Sequence, residues 1–552
     1  MASLLPEAAQ KLSTFTTETL VSAAKQSQGI HVIPLRLRRA IKRFLKEQES
    51  PNMRRKVLAL SQSFNKIKDA NLLLTASTSK ALVEDPSNNI NNNNKSLEQS
   101  KRWKITSEYG DIGLKYRDDQ TIAYIASRMP AVYSACHRVL KEVRRRLPGF
   151  EPKRVLDFGS GTGSVLWAVR EVWPRSLETI NLVEPSKHMQ RVGQSLLRGM
   201  VDLPHIRSYD SIQALMKKLD KPDREHDLVM ASYVLGEVAS LKDRITIVRQ
   251  LWDLTRDVLV LVEPGTPQGY KIIAQMRSHI LWMEKRKFRK VKHLCGKTIK
   301  DLVPLNLGAF VVAPCPHDGR CPLLNTGKYC HFVQRLQRTA SQRSYKKSKG
   351  IPLRGFEDEK FCYVVLRRGQ RPRGPWPLDD MKFDTLKEQH AKRNPEDLEI
   401  DYDDQFPTED EDDDEIYEDD PISYDSDIIE TDVINDYEEE EEEEEEEPVA
   451  RADLGGGWGR IVFTPVRRGR QVKMDVCRSI KEDGSEGSFE RIVVTQSKNP
   501  ALHKQARRSL WGDLWPFTSV KAEENVKIEE IEDCKKPEDI QENEKPKESE
   551  DA

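Results

Sequence analysis

Val155-Leu156-Asp157-Phe158-Gly159-Ser160-Gly161-Thr162-Gly163-Ser164 runs an apolar stretch into a turn with glycine at three alternate positions. Glycine at such a turn lets the backbone approach a ligand closely. Helical spacing follows in Val165, Leu166, Ala168, Val169 and Val172. A second apolar run, 180–183, ends at Glu184, 21 residues after Gly163. Strand, glycine turn, helix and strand with a terminal acid, in that order, predict a nucleotide-type βαβ unit whose acid accepts both ribose hydroxyls. Asp157, Gly159, Gly161, Gly163 and Glu184 are therefore the candidate cofactor-binding residues. The Asp-x-Gly-x-Gly-x-Gly form, with Glu184-Pro185 after strand two, points to S-adenosylmethionine rather than a dinucleotide. Further strands are expected at 227–230 and 258–262, the latter followed by Glu263-Pro264-Gly265.

The turn after the fourth strand reads Ala231-Ser232-Tyr233-Val234-Leu235-Gly236-Glu237. It lacks the Asn-Pro-Pro-Tyr type of loop that base-amino methyltransferases carry there, and no cysteine nucleophile stands near it. No catalytic residue is assigned. A methyltransferase fold that binds nothing, or binds without turnover, stays open beside an active enzyme.

A second motif is Pro-Cys-Pro-His-Asp-Gly-Arg-Cys-Pro-Leu-Leu-Asn-Thr-Gly-Lys-Tyr-Cys-His-Phe, residues 314–332, with Cys315, Cys321 and Cys330 separated by gaps of five and eight residues. Structural zinc favours tighter loops. A cubane iron–sulfur cluster is larger and suits wider loops with a distant fourth thiolate. Zinc completed by His317 or His331, and three unrelated buried thiols, remain alternatives. Radical S-adenosylmethionine chemistry needs a tight three- then two-residue spacing, which these gaps do not provide. Spacing alone does not separate Cys295, Cys362 and Cys477 as the fourth ligand, whereas Cys136 reads as core and Cys534 lies in a charged tail.

Charge is segregated along the 552 residues. Between 401 and 447 there are 28 Asp plus Glu and no Lys or Arg, including ten consecutive glutamates at 438–447. That leaves 62 acidic against 89 basic residues elsewhere, an excess of 27 positive charges. A body so basic calls for a polyanionic partner, most often nucleic acid. The acidic stretch cannot bury a core and reads as a disordered insertion, either solvating the chain or shielding the basic surface. Eight cysteines in 552 residues do not make a disulfide scaffold. No run approaches the roughly 20 apolar residues of a membrane span, so no membrane partner is expected.

Residues 1–28 are Ser/Thr/Ala-rich with Leu4, Leu5, Phe15 and Leu20 at helical spacing, which suits a transit segment. Glu7, Glu18 and the lack of arginine before Arg36 argue against one. Arg36, Arg39, Lys42, Arg43 and Lys46 interleave with Leu37, Ile41 and Leu45 as a basic amphipathic helix. A single helix is expected over 124–147, stopped by Pro148-Gly149. Lys-Arg-Lys-Phe-Arg-Lys-Val-Lys, 285–292, is a second basic cluster. Strand-type runs at 458–466, 471–477 and 489–495, separated by Arg/Gly turns, predict a small β-domain.

Several short blocks together carry a family resemblance. They are Ala123-Tyr124, Arg128-Met129-Pro130, Tyr133, the 157–163 loop, Cys315-Pro316-His317-Asp318-Gly319-Arg320-Cys321-Pro322, Tyr329-Cys330-His331-Phe332, Phe356-Glu357-Asp358-Glu359-Lys360-Phe361 and Trp511-Gly512-Asp513. Over 30–370 and 455–516 the chain resembles the methyltransferase-like assembly factors of the mitochondrial small ribosomal subunit. The cysteine run is highly specific; the glycine loop is shared by many methyltransferases.

The resemblance implies an α/β, class I (Rossmann-like) S-adenosylmethionine methyltransferase fold with a helical N-terminal region, a Cys-rich metal module and a small C-terminal β-domain. It implies a [4Fe-4S] cluster on Cys315, Cys321, Cys330 and Cys477, with the acidic insertion separating Cys477 from the rest as a departure from the family. It also implies a mitochondrial matrix address and binding to small-subunit rRNA and proteins, as a monomer, during assembly. S-adenosylmethionine is a candidate cofactor, and an rRNA methyltransferase is the alternative function. The expected organisation is a candidate transit segment 1–30, a helical region 31–122, a Rossmann domain 123–310, a Cys-rich module 311–374, an acidic insertion 375–450, a β-domain 451–518 and a charged tail 519–552.

Overall fold

The computed structural model describes residues 17–48, 55–57, 118–295 apart from 239, 307–346, 354–372, 458–515 apart from 482, and 526–529. Residues 1–16, the stretch 58–117 with its Asn-rich part near 87–94, the whole of the acidic insertion and most of the charged tail lie outside these, as do the expectations attached to them.

Strands β1 (Arg154–Phe158), β2 (Thr179–Val183), β3 (His205–Tyr209), β4 (His226–Ser232) and β5 (Thr255–Pro264) form a parallel sheet in the order β3-β2-β1-β4-β5. The sheet continues through β8 (Phe356–Arg368), antiparallel to β5, to β6 (Ala309–Ala313) at the edge. This is the class I, Rossmann-like methyltransferase sheet. Strand β7 (Phe332–Gln337) pairs with the first half of β8, beyond the stretch that pairs with β6. Two strands thus share one edge of β8, and the cysteine stretch is the connection between them. The boundary expected at residue 310 does not break the sheet, because β6, β7 and β8 all belong to it.

The pleat sends alternate residues to two cores. Val155, Leu228, Met230, Val258, Val260 and Val262 face one; Leu156, Val229, Ala231, Leu259 and Leu261 face the other. Helices cover both faces. On the first lie α3 (Asp118–Ser127), α4 (Met129–Arg146) and α5 (Ser164–Val172), with α2 (Leu35–Gln48) contributing Leu37, Ala40, Ile41 and Phe44. The second is covered by α7 (Ile212–Lys218), α8 (Leu241–Asp253) and α9 (Pro267–Cys295); α6 (Lys187–Leu196) follows β2. The helix expected over 124–147 is two helices. Arg128 interrupts it because Pro130 in the first turn of α4 supplies no N–H and starts a new helix.

The β-domain is a second sheet: β9 (Gly459–Ile461), β10 (Val466–Arg468), β11 (Gln471–Ser479), β12 (Gly487–Thr495), β13 (Leu514–Trp515) and β14 (Val526–Glu529). Helix α11 (Pro500–Arg508) closes its core with Leu502 and Ala506; the short α10 (Ala340–Lys346) lies between β7 and β8.

Residues 17–30, expected within a transit segment, are built into this body. Helix α1 (Thr17–Ala24) buries Ala23 and Ala24 and packs on α11. The N–H groups of Gln26 and Ser27 both donate to Asp513 Oδ1, at 2.8 and 2.6 Å. His31 then bridges to Leu336 on β7.

Candidate functional site: a methyltransferase crevice and a buried thiol centre

The crevice lies at the carboxyl ends of β1, β2 and β3, where open α/β sheets bind ligands. Gly159 and Gly161 sit at φ +70° and +53°, a region that favours glycine. Gly159 also faces Val234: a Cβ there would come within 2.6 Å of Val234 Cγ2. The turn after β4 is therefore pressed onto the glycine loop. Glu184 lies at the end of β2 as expected, and the structure adds what its carboxylate does. Its oxygens accept from Gly161 N–H at 2.9 Å and Ser186 N–H at 2.8 Å. Burial still raises its pKa. Asp157 is fully buried, neither oxygen has a hydrogen-bond partner, and burial followed by the Glu184 charge holds its carboxyl well above the usual range. Phe158, Gly159, Pro185, Asp210 and Ile212 line a small cleft with room for about one water molecule.

Four residues to which the sequence assigned no role fix the turn after β4. Glu263 accepts from Leu235 N–H at 2.8 Å and Gly236 N–H at 3.2 Å, and burial pushes its carboxyl up to about 7. Arg128 makes a two-pronged pair with Glu359 at 2.5 and 2.7 Å, and Tyr233 Oη donates to the same carboxylate at 2.8 Å. Arg128 and Glu359 were marked in the sequence by membership of the resemblance blocks, Glu263 by its place after the run 258–262 and Tyr233 by its place after β4. These bonds tie the turn to Glu263 of β5 and Glu359 of β8.

The thiol centre draws on two remote parts of the chain. Cys315 follows β6, Cys321 and Cys330 lie in the loop, and Cys477 is on β11. Cys321 and Cys477 are buried together with Leu323 and Val462, with Cys330, Tyr270, Phe463 and Phe489 packed against them. All four thiols are free. Burial pushes Cys315, Cys330 and Cys477 up, Cys330 and Cys477 well above an ordinary thiol, and each also senses the other sulfurs. Arg277 is buried beside them and donates to His317 O at 2.8 Å. Although burial opposes its charge, Cys315 and Cys321 shift it upward. Tyr270 Oη lies 3.3 Å from Cys321 Sγ, and His317 Nε2 lies 3.5 Å from Cys477 Sγ. Among the described residues, no three His, Cys, Asp or Glu side chains group in the way a metal ion needs.

The other candidates fall apart from this centre or beside it. Cys136 is buried in α4. Cys362, on β8, faces the gap between β6 and β7 and donates to Cys330 O at 3.1 Å, which makes it a neighbour of the loop backbone. Cys295 ends α9, and its side chain lies outside the described residues. His331 stacks on Tyr329 and meets Trp511 edge-on, both with ring centroids about 4.5 Å apart.

The β-domain docks through the same region. Arg460 on β9 donates to Pro314 O at 3.1 Å and Gly512 O at 2.6 Å and pairs with Glu142 of α4. Tyr363 Oη donates to the same Glu142 at 2.7 Å. Asp318 accepts from Val311 N–H at 2.7 Å and from Arg371 at 2.7 and 2.9 Å, while its own N–H donates to Gly484 O at 2.7 Å. A Cβ on Gly319 would come 2.5 Å from Ser485 O, so the cysteine loop and the β11–β12 turn lie in direct contact.

The family described as "Mitochondrial small ribosomal subunit Rsm22" matches residues 118–378 and 411–516. The chain is 34% identical over 258 residues to the human "Ribosome assembly protein METTL17, mitochondrial", covering 46% of this chain and 50% of that protein. It is 23% identical over 458 residues to "Ribosome assembly protein RSM22, mitochondrial" of Saccharomyces cerevisiae, covering 71% of this chain and 66% of that protein. The chain thus spans about half the length of the first of these relatives. Among solved structures, a putative RNA methyltransferase from Pyrococcus horikoshii is similar at 13% identity and a TM-score of 0.24, covering 43% of this chain and 83% of that one.

Proposed function

This chain belongs to the Rsm22 family of the mitochondrial small ribosomal subunit, and from that premise we propose that it is a mitochondrial assembly factor that binds small-subunit rRNA through its basic surface. The methyltransferase fold serves as a shaped scaffold, and a [4Fe-4S] cluster on Cys315, Cys321, Cys330 and Cys477 fastens the β-domain to it. The observation that carries the reading is Cys477, brought against the three loop cysteines from more than 140 residues away in sequence.

The chemistry of the donors supports the reading, though the described side chains are not grouped as a bound metal would hold them: they are all sulfur, enclosed, free of disulfides and backed by a buried arginine, and iron–sulfur clusters are held by cysteine thiolates. Bound there, the group would supply a covalent cross-link between β11 and the β6–β7 loop. The chain's own residues shape the rest of the joint. Arg460 and Asp318 fix the loop and the β-domain against each other, and Phe463 and Phe489 pack against the hydrophobic cluster that holds Cys321 and Cys477. For RNA contact, α2 turns Arg36, Arg39, Lys42, Arg43 and Lys46 outward over a buried apolar stripe. On α9, Lys285, Lys287, Arg289 and Lys290 are also exposed. Phosphate contacts of this kind position a protein on RNA without reading sequence.

Anaerobic purification with absorption spectroscopy and metal analysis tests the cluster, and binding to in vitro transcribed small-subunit rRNA tests the partner. Cys477→Ser is expected to lose the iron–sulfur absorption and weaken rRNA binding together. A preparation holding one zinc per chain, or a colourless variant that binds rRNA as well as the wild type, would overturn the coupling.

The alternative, an active S-adenosylmethionine-dependent rRNA methyltransferase, is favoured by one observation: the buried, unpartnered Asp157 carboxyl on β1, two residues before Gly159. Against it stands the turn after β4, which Val234 presses onto Gly159 and which lacks the Asn-Pro-Pro-Tyr type of loop that base-amino methyltransferases carry there. Calorimetry with S-adenosylmethionine, then methyl transfer to small-subunit rRNA, separates binding from turnover.

A further inference from the structure

Basic residues crowd one end of the β-domain. Residues 464–473 and 496–510 hold eight Lys or Arg and no Asp or Glu. The first segment forms the β10–β11 hairpin, with its turn at Gly469 (φ +48°); the second carries α11. The two are tied side by side. Arg467 donates to Arg507 O and Ser509 O, both at 3.0 Å, and Arg507 donates back to Gly469 O at 3.1 Å. Gln496 N–H donates to Arg470 O at 2.9 Å, which sets Lys498 beside the same turn. Helix α11 buries Leu502, His503, Gln505 and Ala506 and turns Lys504, Arg507 and Arg508 outward.

Arg467 and Arg507 spend donors on these ties. Arg468, Arg470, Lys498, Lys504 and Arg508 are exposed, and none forms an ion pair among the described residues. Like charges held together by backbone ties repel one another until an anion neutralises them. The patch also has a fixed place relative to the thiol centre. Cys477 lies seven residues along β11 from Arg470, about 23 Å at the rise of an extended strand, so one end of the ladder meets the core and the other carries the charge.

We propose that this hairpin–helix patch is an RNA phosphate-gripping surface of the β-domain, held at its working angle by the Cys477 end of the same strand. The proposal rests on the rRNA-binding reading above and adds where on the chain the RNA lies. The ligand is the sugar-phosphate backbone, recognised by charge and not by base sequence.

The test uses the full chain with Arg468→Ala, Arg470→Ala, Lys498→Ala, Lys504→Ala and Arg508→Ala combined, and in vitro transcribed small-subunit rRNA as the probe. These side chains are exposed and lie away from the cysteines, so thermal melting and metal content should match the wild type. The slope of log affinity against log salt should fall by about 3.5–4.5 if all five side chains contact phosphate, since each contact contributes roughly 0.7–0.9. Affinity near physiological salt should drop about ten- to a hundredfold. Wild-type slope and affinity in the variant overturn the proposal and leave rRNA binding itself intact. A wild-type chain that does not bind the rRNA overturns both. Lost association with the subunit but unchanged affinity for naked rRNA assigns the patch to a protein partner and also overturns it.

Discussion

Arg460 and Cys477 face each other directly across the β9–β11 ladder. One residue carries a buried charge to Glu142 of α4, and the other brings a thiol to the β6–β7 loop. Two of the attachments of the β-domain to the core therefore spring from a single rung, and what loosens one should loosen the other.

Arg460→Met should be costly. Arg460 and Glu142 are each about 2% exposed, and although burial opposes its charge, the guanidinium keeps the Glu142 carboxyl low. Removing it leaves the buried Glu142 charge with only Arg146, at 3.9 Å, and the Tyr363 hydroxyl, at a cost of about 3 kcal/mol, the lower end for a broken buried pair. Urea denaturation should show that loss, and pairing Arg460→Met with Glu142→Gln should recover part of it. A cost below about 1 kcal/mol would mean the pair does not hold the domains together.

Cys477→Ser and Cys362→Ser should differ in kind. Both thiols are buried near Cys330. Cys477 is assigned to the sulfur set, whereas Cys362 only donates to Cys330 O. Iron content should collapse in the first variant and persist in the second, which should lose on the order of 1 kcal/mol. Iron lost equally from both would return Cys362 to the candidates.

Acid should loosen the N-terminal junction. His31 and His137 stack with centroids 4.5 Å apart, beside Tyr133, Ser134 and the Lys141 charge. Burial, aided by Lys141, lowers them to about 4 and about 3. Their unfolded value is 6.5, so the unfolded chain binds more protons between these limits. Their contribution is complete above pH 6.5 and is lost as pH falls toward 4. From pH 7 to pH 5 the loss should be on the order of 2 kcal/mol per histidine. His137→Gln should flatten the slope of denaturation midpoint against pH; an unaltered slope would show that the stack does not titrate in this way.

Gly159→Ala should cost more than Gly161→Ala. Both need positive φ, worth about 1 kcal/mol or more to a side chain. Only at Gly159 does the added methyl also meet Val234, whereas Gly161 faces open space. Gly159→Ala with Val234→Ala should recover much of the difference in thermal denaturation. Equal costs would mean the turn after β4 yields freely.

A chain beginning at His31 should be less stable than one beginning at Thr17, by about 2–4 kcal/mol. It loses the burial of Ala23 and Ala24 and leaves Asp513 without its two N–H donors. Matching melting temperatures would show that α1 contributes nothing.

The sequence determined the βαβ unit by itself, because its signals are local. An apolar run, alternating glycines that need positive φ and an acid at fixed spacing are set by neighbours along the chain. The basic stripe of α2 was legible for the same reason. The family resemblance, not spacing, singled out Cys477; spacing left it level with Cys362 and Cys295.

Tertiary structure decided what depends on packing across distance. It put Cys477 beside the loop thiols and Cys362 behind their backbone, since one strand edge carries both β6 and β7 and leaves a gap between them. It also turned Glu184 onto the glycine loop and pressed Val234 onto Gly159. Those contacts join residues dozens of positions apart, and burial sets their electrostatics. No periodicity along the chain encodes that burial.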